Sequence, residues 1–154
     1  TILDNILLPA YQANKARAGR SAANERARAL MHSMGIDDVA NSGITEVSGG
    51  QLQRACICRS MINQPHMLFA DEPTGSLNKQ SAADVMNELL AVNRGGTTIL
   101  LVTHDTRVAA KSERVLYIPD GAIQGEPVFG KYSWEDALRG RERALNDWLL
   151  DMGW

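Results

Sequence analysis

Three short apolar runs in the second half of the chain constrain its fold more than any other feature. They are Met67–Ala70, Thr98–Val102 and Val115–Ile118. None shows polar alternation, so each is typical of a strand that is covered on both faces. A helix predicted from Lys79 to Asn93 separates the first two runs, with Asn78 as its cap and a glycine pair at its end. The order strand, helix, strand predicts a parallel sheet and an α/β fold.

The first part of the chain is predicted to be helical. An apolar segment from Thr1 is ended or kinked by Pro9, and a helix follows from about Ser21 to Met34. A third helical pattern covers Gln51 to Ile62. We therefore expect a helical portion at 1–62, an α/β portion at 63–125 that closes with a short strand at Ala122–Gln124, and a helical extension at 126–154.

Composition indicates an ordinary globular protein. The 154 residues are 44% hydrophobic, which suits one domain with a core. A net charge of -2 gives no general attraction to nucleic acid, and the cluster of Lys15, Arg17, Arg20, Arg26 and Arg28 is interpreted as a solvated helix face. No apolar run approaches the roughly 20 residues of a membrane span. Cys56 and Cys58 are expected to be small core residues.

An acidic pair lies just past the first predicted strand. Asp71 and Glu72 follow its carboxyl end, where open parallel sheets collect their ligands. Asp71 offers the oxygen ligand that Mg²⁺ prefers, and we expect Glu72 to act as general base on an attacking water. His104 follows the next strand at the same end of the sheet. We expect it to reach the same pocket and to contact the terminal phosphate or to orient the water.

A glycine-rich element precedes the third helical pattern. Ser48, Gly49 and Gly50 stand at the amino end of that helix, where unpaired N–H groups and the helix dipole favour an anion. Glycines also let a phosphate approach the backbone closely. By itself, an isolated element of this kind is better interpreted as only a capped helix start.

The motifs Val47–Gln51, Met67–Gly75 and Thr103–Asp105, taken in this order, resemble those of ABC-transporter ATPases. The resemblance implies a P-loop NTPase-like parallel sheet with helices on both faces, a helical subdomain, and ATP and Mg²⁺ as ligands. It begins partway through the family's domain, and no G-x-x-x-x-G-K-[ST] loop occurs in the sequence. The strand that carries the phosphate loop is therefore missing, and this chain alone is expected to be inactive.

In that family, two domains enclose two nucleotides between them. The resemblance implies that Ser48, Gly49, Gly50 and Gln51 contact the nucleotide held by a second ATP-binding domain, in a homodimer. Asp71, Glu72 and His104 would serve the nucleotide of their own domain. Two residues depart from the family pattern: Val47 replaces the usual leucine, and Asn78 replaces an aspartate in a loop that communicates across the dimer.

Further stretches narrow the resemblance. Ala70–Asn78 and the stretch from Thr103–Asp105 to Asp120–Gly121 are similar to the macrolide-export and lipoprotein-release branch. The tail, Gly130–Tyr132 and Arg141–Trp154, is similar to bacitracin-type antimicrobial-peptide resistance transporters. This implies a parent protein that hydrolyses ATP to drive an integral membrane permease, from the cytoplasmic face of the membrane. Its permease contacts would come from the region between Thr1 and about Gly43.

Two other classes of protein stay open. An ABC ATPase of the DNA-maintenance type would separate its nucleotide halves by long coiled coils, but the sequence has no heptad run of that length. A non-catalytic assembly fragment would self-associate through an unpaired sheet edge. In the tail, Ser133 and Asp136 predict a capping box. An apolar face follows, which packs on the chain's own core or on a neighbouring subunit, and its members are Trp134, Leu138, Leu145, Trp148 and Met152.

Overall fold

The structure is a computed structural model that describes residues 1–13, 17–133 and 135–154. Its helices and strands, in chain order, are α1 (Ile2–Ala13), α2 (Arg17–Ser33), α3 (Gly49–Met61), β1 (Met67–Asp71), α4 (Lys79–Arg94), β2 (Thr98–Val102), α5 (Thr106–Ala109) and α6 (Glu135–Asp151). Short 3₁₀ turns occupy Asp37–Val39, Ile44–Glu46 and Pro119–Gly121. The chain divides into two compact units, residues 1–100 and 101–154. The predicted division at 62 and 125 stays a prediction.

Helix α1 passes through the proline that was expected to end or kink it. Pro9 lies inside a helix that continues to Ala13, so the expectation of an end at this residue is wrong. Proline removes one N–H donor from the helix. The buried face of α1, which includes Ile6 and Ala10 on either side of Pro9, packs against α2 and α3 and offsets that loss.

Helix α2 confirms the predicted helix and begins earlier, at Arg17. Its apolar face is buried at Ala23, Ala27 and Met31. The interpretation of the basic residues as a solvated face is wrong for Arg26, which donates a hydrogen bond of 2.9 Å from Nη1 to the carbonyl oxygen of Ile62. The guanidinium of Arg20 stacks over the ring of Tyr11 at 5.4 Å. Lys15 lies outside the described residues, as does the side chain of Arg17.

The predicted strand–helix–strand unit is present. β1 and β2 are hydrogen-bonded neighbours in a parallel sheet, and α4 connects them along the chain. Asn78 caps α4 as expected, because its Oδ1 accepts a hydrogen bond of 2.9 Å from the N–H of Ser81. The buried residues of α4 are Val85, Met86 and Leu89. The α/β class and the parallel sheet are therefore confirmed.

Within the part of the chain that the structure describes, the strands are not covered on both faces. Leu68 is buried, whereas Phe69 is 71% exposed and Met67 is 49% exposed. On β2, Leu100 is 46% exposed. The described sheet has two strands, and one of its faces has no helix over these side chains, so their apolar surface stays in contact with water.

Two further strands were predicted and are not formed. Val115–Ile118 and Ala122–Gln124 contain no regular strand; they take part instead in an irregular antiparallel pairing, with isolated bridges between Arg114 and Val128 and between Tyr117 and Gly125. Pro127 has no N–H to donate, which limits a regular ladder at this point. The expected turn at 119–121 is present, with Asp120 at φ 50°.

The second unit has its own core around α6. Leu138, Leu145 and Leu149 on this helix are buried together with Ala110. The ring of Trp148 meets that of Tyr117 edge-on, with centroids 6.1 Å apart. The apolar face of the tail thus packs on its own chain, which was one of the two predicted outcomes. Trp134 and the side chain of Asp136, and with them the predicted capping box, lie outside the described residues.

Among the described residues, no helix has both the length and the apolar composition required to cross a membrane.

Candidate functional site

The start of α3 is a capped helix terminus with two exposed residues. Ser48 is the N-cap; its Oγ accepts a hydrogen bond of 3.3 Å from the N–H of Gln51, and the Oε1 of Gln51 accepts one of 2.9 Å from the N–H of Ser48. This reciprocal pair leaves the N–H groups of Gly49 and Gly50 in the first helical turn, where no carbonyl lies one turn earlier to accept them. Donors and helix dipole together favour an anion here.

The two glycines of this element have different surroundings. Gly49 is exposed, whereas Gly50 is buried. A Cβ placed at Gly50 would lie 3.1 Å from both Cβ and Oγ of Ser81, in the first turn of α4. A Cβ placed at Gly49 would lie 3.4 Å from Cδ2 of Leu77. The element therefore presents Ser48 and Gly49 to solvent and packs Gly50 against α4.

The acidic pair ends strand β1. Asp71 is the last residue of the strand and is exposed, while Glu72 is partly buried. Glu72 has φ 42°, in the left-handed region that a side chain with a Cβ seldom adopts. Such a conformation stores about 1–3 kcal/mol and persists where the surroundings fix it, commonly at functional sites. Here Pro73 and Thr74 are buried, and the N–H of Gly75 donates to the carbonyl of Glu72 at 3.1 Å.

The position of Asp71 suits one known mode of Mg²⁺ binding. No group of three His, Cys, Asp or Glu side chains with metal-binding geometry occurs in residues 1–13, 17–133 and 135–154. Mg²⁺ is commonly bound by one or two carboxylates while phosphates and water supply its other oxygen ligands. One exposed carboxylate at the end of a parallel strand is compatible with that mode.

His104 lies in the second unit and is exposed. The loop that carries it is ordered by its neighbours: Thr103 Oγ1 accepts a hydrogen bond of 3.1 Å from the N–H of Asp105, and Asp105 Oδ1 accepts one of 2.8 Å from the N–H of Arg107. Asp105 is thereby the N-cap of α5. A small cleft of about 90 Å³ adjoins this loop, and Leu149 and Trp154 of the tail also line it.

The first unit thus holds two of the predicted site components, the Ser48–Gln51 element and the pair Asp71 and Glu72. The sharing of a pocket by His104 and the acidic pair stays a prediction, as do the roles of all these residues. Sequence reasoning missed the packing of Leu77 and Ser81 on the two glycines. The one local signal for it was a small residue, serine, in the first turn of the helix after the acidic pair.

These features define a class of protein. A capped, glycine-rich helix start and an acidic pair at the carboxyl end of a parallel strand are the parts of a nucleotide-binding α/β domain.

Comparisons with known proteins agree with this class and point to one family within it. Residues 1–75 match the model of the family described as "ABC transporter". This match confirms the resemblance to ABC-transporter ATPases that was noted in the sequence.

Relatives with curated names include an export protein and a release-system protein. The chain is 44% identical over 127 residues to "Lipoprotein-releasing system ATP-binding protein LolD 2" of Rhodospirillum rubrum, which covers 82% of this chain and 54% of the relative. It is 42% identical over 121 residues to "Probable export ATP-binding/permease protein MacB" of Pseudomonas entomophila, covering 79% of this chain and 18% of the relative. The chain thus spans about half of the first relative and a smaller share of the second.

Solved structures support the fold. The ATP-binding cassette MJ0796, solved as a dimer in a post-hydrolysis state bound to ADP and Pi, matches with a TM-score of 0.71 and 32% identity, over 83% of this chain and 56% of that chain. A nucleotide-free ATP-binding cassette from an ABC transporter matches with a TM-score of 0.74 at 20% identity, which supports the fold alone.

Proposed function

We propose that this chain is part of an ATP-hydrolysing domain that powers a membrane permease. The observation that carries the proposal is the end of β1, where Asp71 is exposed and Glu72 is held in a left-handed conformation by a turn with buried residues. The family match and the structural likeness to nucleotide-binding cassettes support it.

In this proposal, Asp71, Glu72 and His104 act on the nucleotide of their own domain. Asp71 binds Mg²⁺, which when bound with ATP neutralises the charge that develops on the phosphates. Glu72 accepts a proton from the attacking water, and His104 orients that water or contacts the terminal phosphate. Since phosphoryl transfer depends mainly on positioning and charge, the fixed backbone at Glu72 contributes by setting the direction in which its side chain leaves the chain.

The Ser48–Gln51 element acts on a different nucleotide. Its exposed cap and the N–H groups of its first helical turn suit the phosphates of an ATP bound to a second ATP-binding domain, in a homodimer. The dimeric state of the cassette MJ0796 supports this arrangement. One chain would then contribute to two sites.

The proposed partner is an integral membrane permease, which places the protein at the cytoplasmic face of a membrane. The names of the relatives, which refer to macrolide export and lipoprotein release, favour an exported or membrane-extracted substrate. An antimicrobial peptide or a lipid-linked molecule belongs to that class. The narrower likeness to bacitracin-type transporters stays a prediction, and no nucleic acid is expected as partner.

The proposal is tested by ATP hydrolysis in the full-length protein. Glu72→Gln keeps the size of the side chain and removes the base, so we expect hydrolysis to fall at least about a hundredfold while MgATP still binds. Asp71→Asn should weaken the Mg²⁺ dependence instead. Glu142→Gln, on α6 and outside both the proposed site and the region expected to contact the permease, is the matched control and should leave hydrolysis unchanged.

A separate measurement concerns the chain by itself. Calorimetry with MgATP should detect no tight binding to residues 1–154. Tight binding by this chain alone would show that the pocket has been wrongly assigned. Full hydrolysis by the Glu72→Gln protein would contradict the proposed base.

A second function, as an assembly fragment, is favoured by the exposed apolar side chains of the sheet. Met67, Phe69 and Leu100 present an apolar face of the kind that associates in water. We expect the isolated chain to self-associate. A monomer mass that does not change with concentration in light scattering would count against it.

A further inference from the structure

The starts of α3 and α4 pack against each other through the glycines of the Ser48–Gln51 element. Gly50 lies against Ser81, with 3.1 Å between a built Cβ and either Cβ or Oγ of the serine, and Gly49 lies 3.4 Å from Leu77 when built in the same way. Carbon atoms of packed side chains prefer separations of about 3.5–4.0 Å. The Gly50 contact is therefore too close for any residue with a side chain unless Ser81 moves.

Backbone conformation does not account for glycine at position 50. The glycines of this chain with positive φ are Gly35, Gly96, Gly121, Gly130 and Gly153 among the described residues, so Gly50 does not need the conformational freedom of glycine. Inside a helix, glycine costs about 1 kcal/mol relative to alanine. Close approach of α4 is therefore one physical reason for the missing side chain, in addition to the close approach of a phosphate to the backbone.

The contact continues along both helices. One turn further, Nη1 of Arg54 lies 3.9 Å from Oδ2 of Asp84, and Gln80 donates a hydrogen bond of 2.9 Å to Oδ1 of the same carboxylate. The side chain of Arg54 is 21% exposed, which places this ion pair in partial shelter from solvent. The first two turns of α3 are therefore joined to the first two turns of α4.

The start of α4 is in turn tied to the acidic pair. The N–H of Gly75 donates to the carbonyl of Glu72, and the N–H of Leu77 donates to that of Thr74, both at 3.1 Å. Two consecutive turns thus connect Glu72 to Leu77, whose side chain contacts Gly49. A displacement of this turn would move Leu77, and its packed contact with Gly49 would transmit the movement to the Ser48–Gln51 element.

We propose that Ser81 and Leu77 are positioning residues for the anion-binding element at Ser48–Gln51, and that Gly50 lacks a side chain to admit Ser81. This inference rests on the proposed function for its catalytic consequence, but its geometric part is independent of ATP. It adds a packing role for Gly50 to the nucleotide contact that is proposed for the whole Ser48–Gln51 element.

The test is a rescue experiment with two compensating substitutions. Gly50→Ala adds a Cβ 3.1 Å from Cβ and Oγ of Ser81, so that Ser81 must shift by a few tenths of an ångström, and Ser81→Gly removes both of these atoms. Ser81→Ala is the matched control, because it removes Oγ and keeps the Cβ at 3.1 Å. In the Gly50→Ala background, we expect Ser81→Gly to restore the ordered cap of α3. We expect Ser81→Ala to restore it much less.

Hydrogen exchange in the 154-residue chain provides a readout that does not require hydrolysis. The N–H groups of Gln51 and Leu52 donate to Oγ and O of Ser48, so their exchange reports on the cap. In Gly50→Ala we expect exchange to be about tenfold faster, and in the rescued double variant to return to within about twofold of the wild type. Gly140→Ala, where no described atom outside the backbone of its own helix lies within 4 Å of a built Cβ, should leave these two amides unchanged.

Hydrolysis by the full-length protein separates the two proposals. If both hold, Gly50→Ala lowers kcat more than it raises KM for ATP, and Ser81→Gly restores kcat together with slow exchange. If the wild type does not hydrolyse ATP, the proposed function fails while the exchange data still decide the positioning. Unchanged exchange in Gly50→Ala, or equal rescue by Ser81→Gly and Ser81→Ala, would overturn the inference.

Discussion

The indole of Trp148 lies directly on the main chain of Gly125, so that a Cβ placed at Gly125 would be 2.9 Å from Cη2 of the ring. Gly125 is also the bridge partner of Tyr117, and the N–H of Tyr117 donates to the carbonyl of Gly125 at 3.0 Å. Tyr117 in turn meets the Trp148 ring edge-on. The missing side chain therefore allows α6 to close over the irregular pairing that follows β2 in the second unit.

We predict that Gly125→Ala destabilises the chain by about 1–3 kcal/mol, because the added methyl group forces the indole away from Tyr117. Urea unfolding followed by tryptophan fluorescence measures this. Gly140→Ala is the control: a Cβ built at this position of α6 meets no described atom within 4 Å apart from its own helix backbone, so it should raise stability by about 0.5–1 kcal/mol. Equal urea midpoints for Gly125→Ala and the wild type would refute the packing argument.

A second prediction concerns Arg26, which bonds to the carbonyl of the fully buried Ile62. Arg26→Met keeps the aliphatic stem and leaves this carbonyl without its donor, so we expect a loss of about 1–3 kcal/mol in the free energy of unfolding. Arg28→Met, at an exposed position of the same helix, should change it by less than about 0.5 kcal/mol. Similar losses in both variants would indicate a general charge effect instead.

The helices were predictable because their signals are local. Ser48 and Asn78 accept the hydrogen bonds expected of N-caps, and α4 ends at the expected glycines. Asp71 was likewise placed at the end of a strand by its sequence context alone. Each of these features depends on residues within a few positions of each other, which a single sequence displays.

The failures depend on distant parts of the chain. The apolar run at 115–118 has the composition of a buried strand, but its partner segment contains Pro127, and the two form isolated bridges. Cys56 and Cys58 carry the same residue type two positions apart, yet Cys56 is exposed and Cys58 is buried. The close contact between Gly50 and Ser81 joins residues of different helices. No local pattern encodes such tertiary pairings.

The two cysteines give a third prediction. Burial raises the pKa of the Cys58 thiol to about 12, because its charged form would lose hydration. Below the ordinary thiol pKa of 9.0, Cys58 is protonated in both the folded and the unfolded chain, and it does not affect the pH dependence. Between pH 9.0 and about 12 the unfolded chain releases the proton first, so stability falls by up to about 1.4 kcal/mol per pH unit.

This pH effect is measured against a variant that lacks the thiol. Cys58→Ala is expected to be less stable at neutral pH but to lose less further stability above pH 9.0. Cys56→Ala, at the exposed position, should follow the wild type. In the folded protein a thiol reagent should modify Cys56 and leave Cys58 intact until urea unfolds the chain. Rapid modification of both residues in the native state would show that Cys58 is accessible.

The last prediction addresses Asn78, which stands where the family usually has aspartate. Asn78 Oδ1 accepts the hydrogen bond from the N–H of Ser81, and a carboxylate would accept it equally well while adding negative charge at a helix start. Asn78→Asp should therefore raise stability by about 0.3–1 kcal/mol at low salt, and the gain should disappear as pH falls below about 4. Asn78→Ala, which removes the acceptor, should lower stability by about 1 kcal/mol.

Hydrolysis by the full-length Asn78→Asp protein then separates capping from communication between sites. Because the substitution preserves the cap that orders Ser81 and the start of α4, a change in the rate well beyond the small stability gain would come from the added charge itself. We expect such a change to appear in the dependence of the rate on ATP concentration, because in a dimer the added charge would alter the coupling between the two nucleotide sites. A rate curve that overlays the wild type would show that this loop needs only an acceptor at position 78.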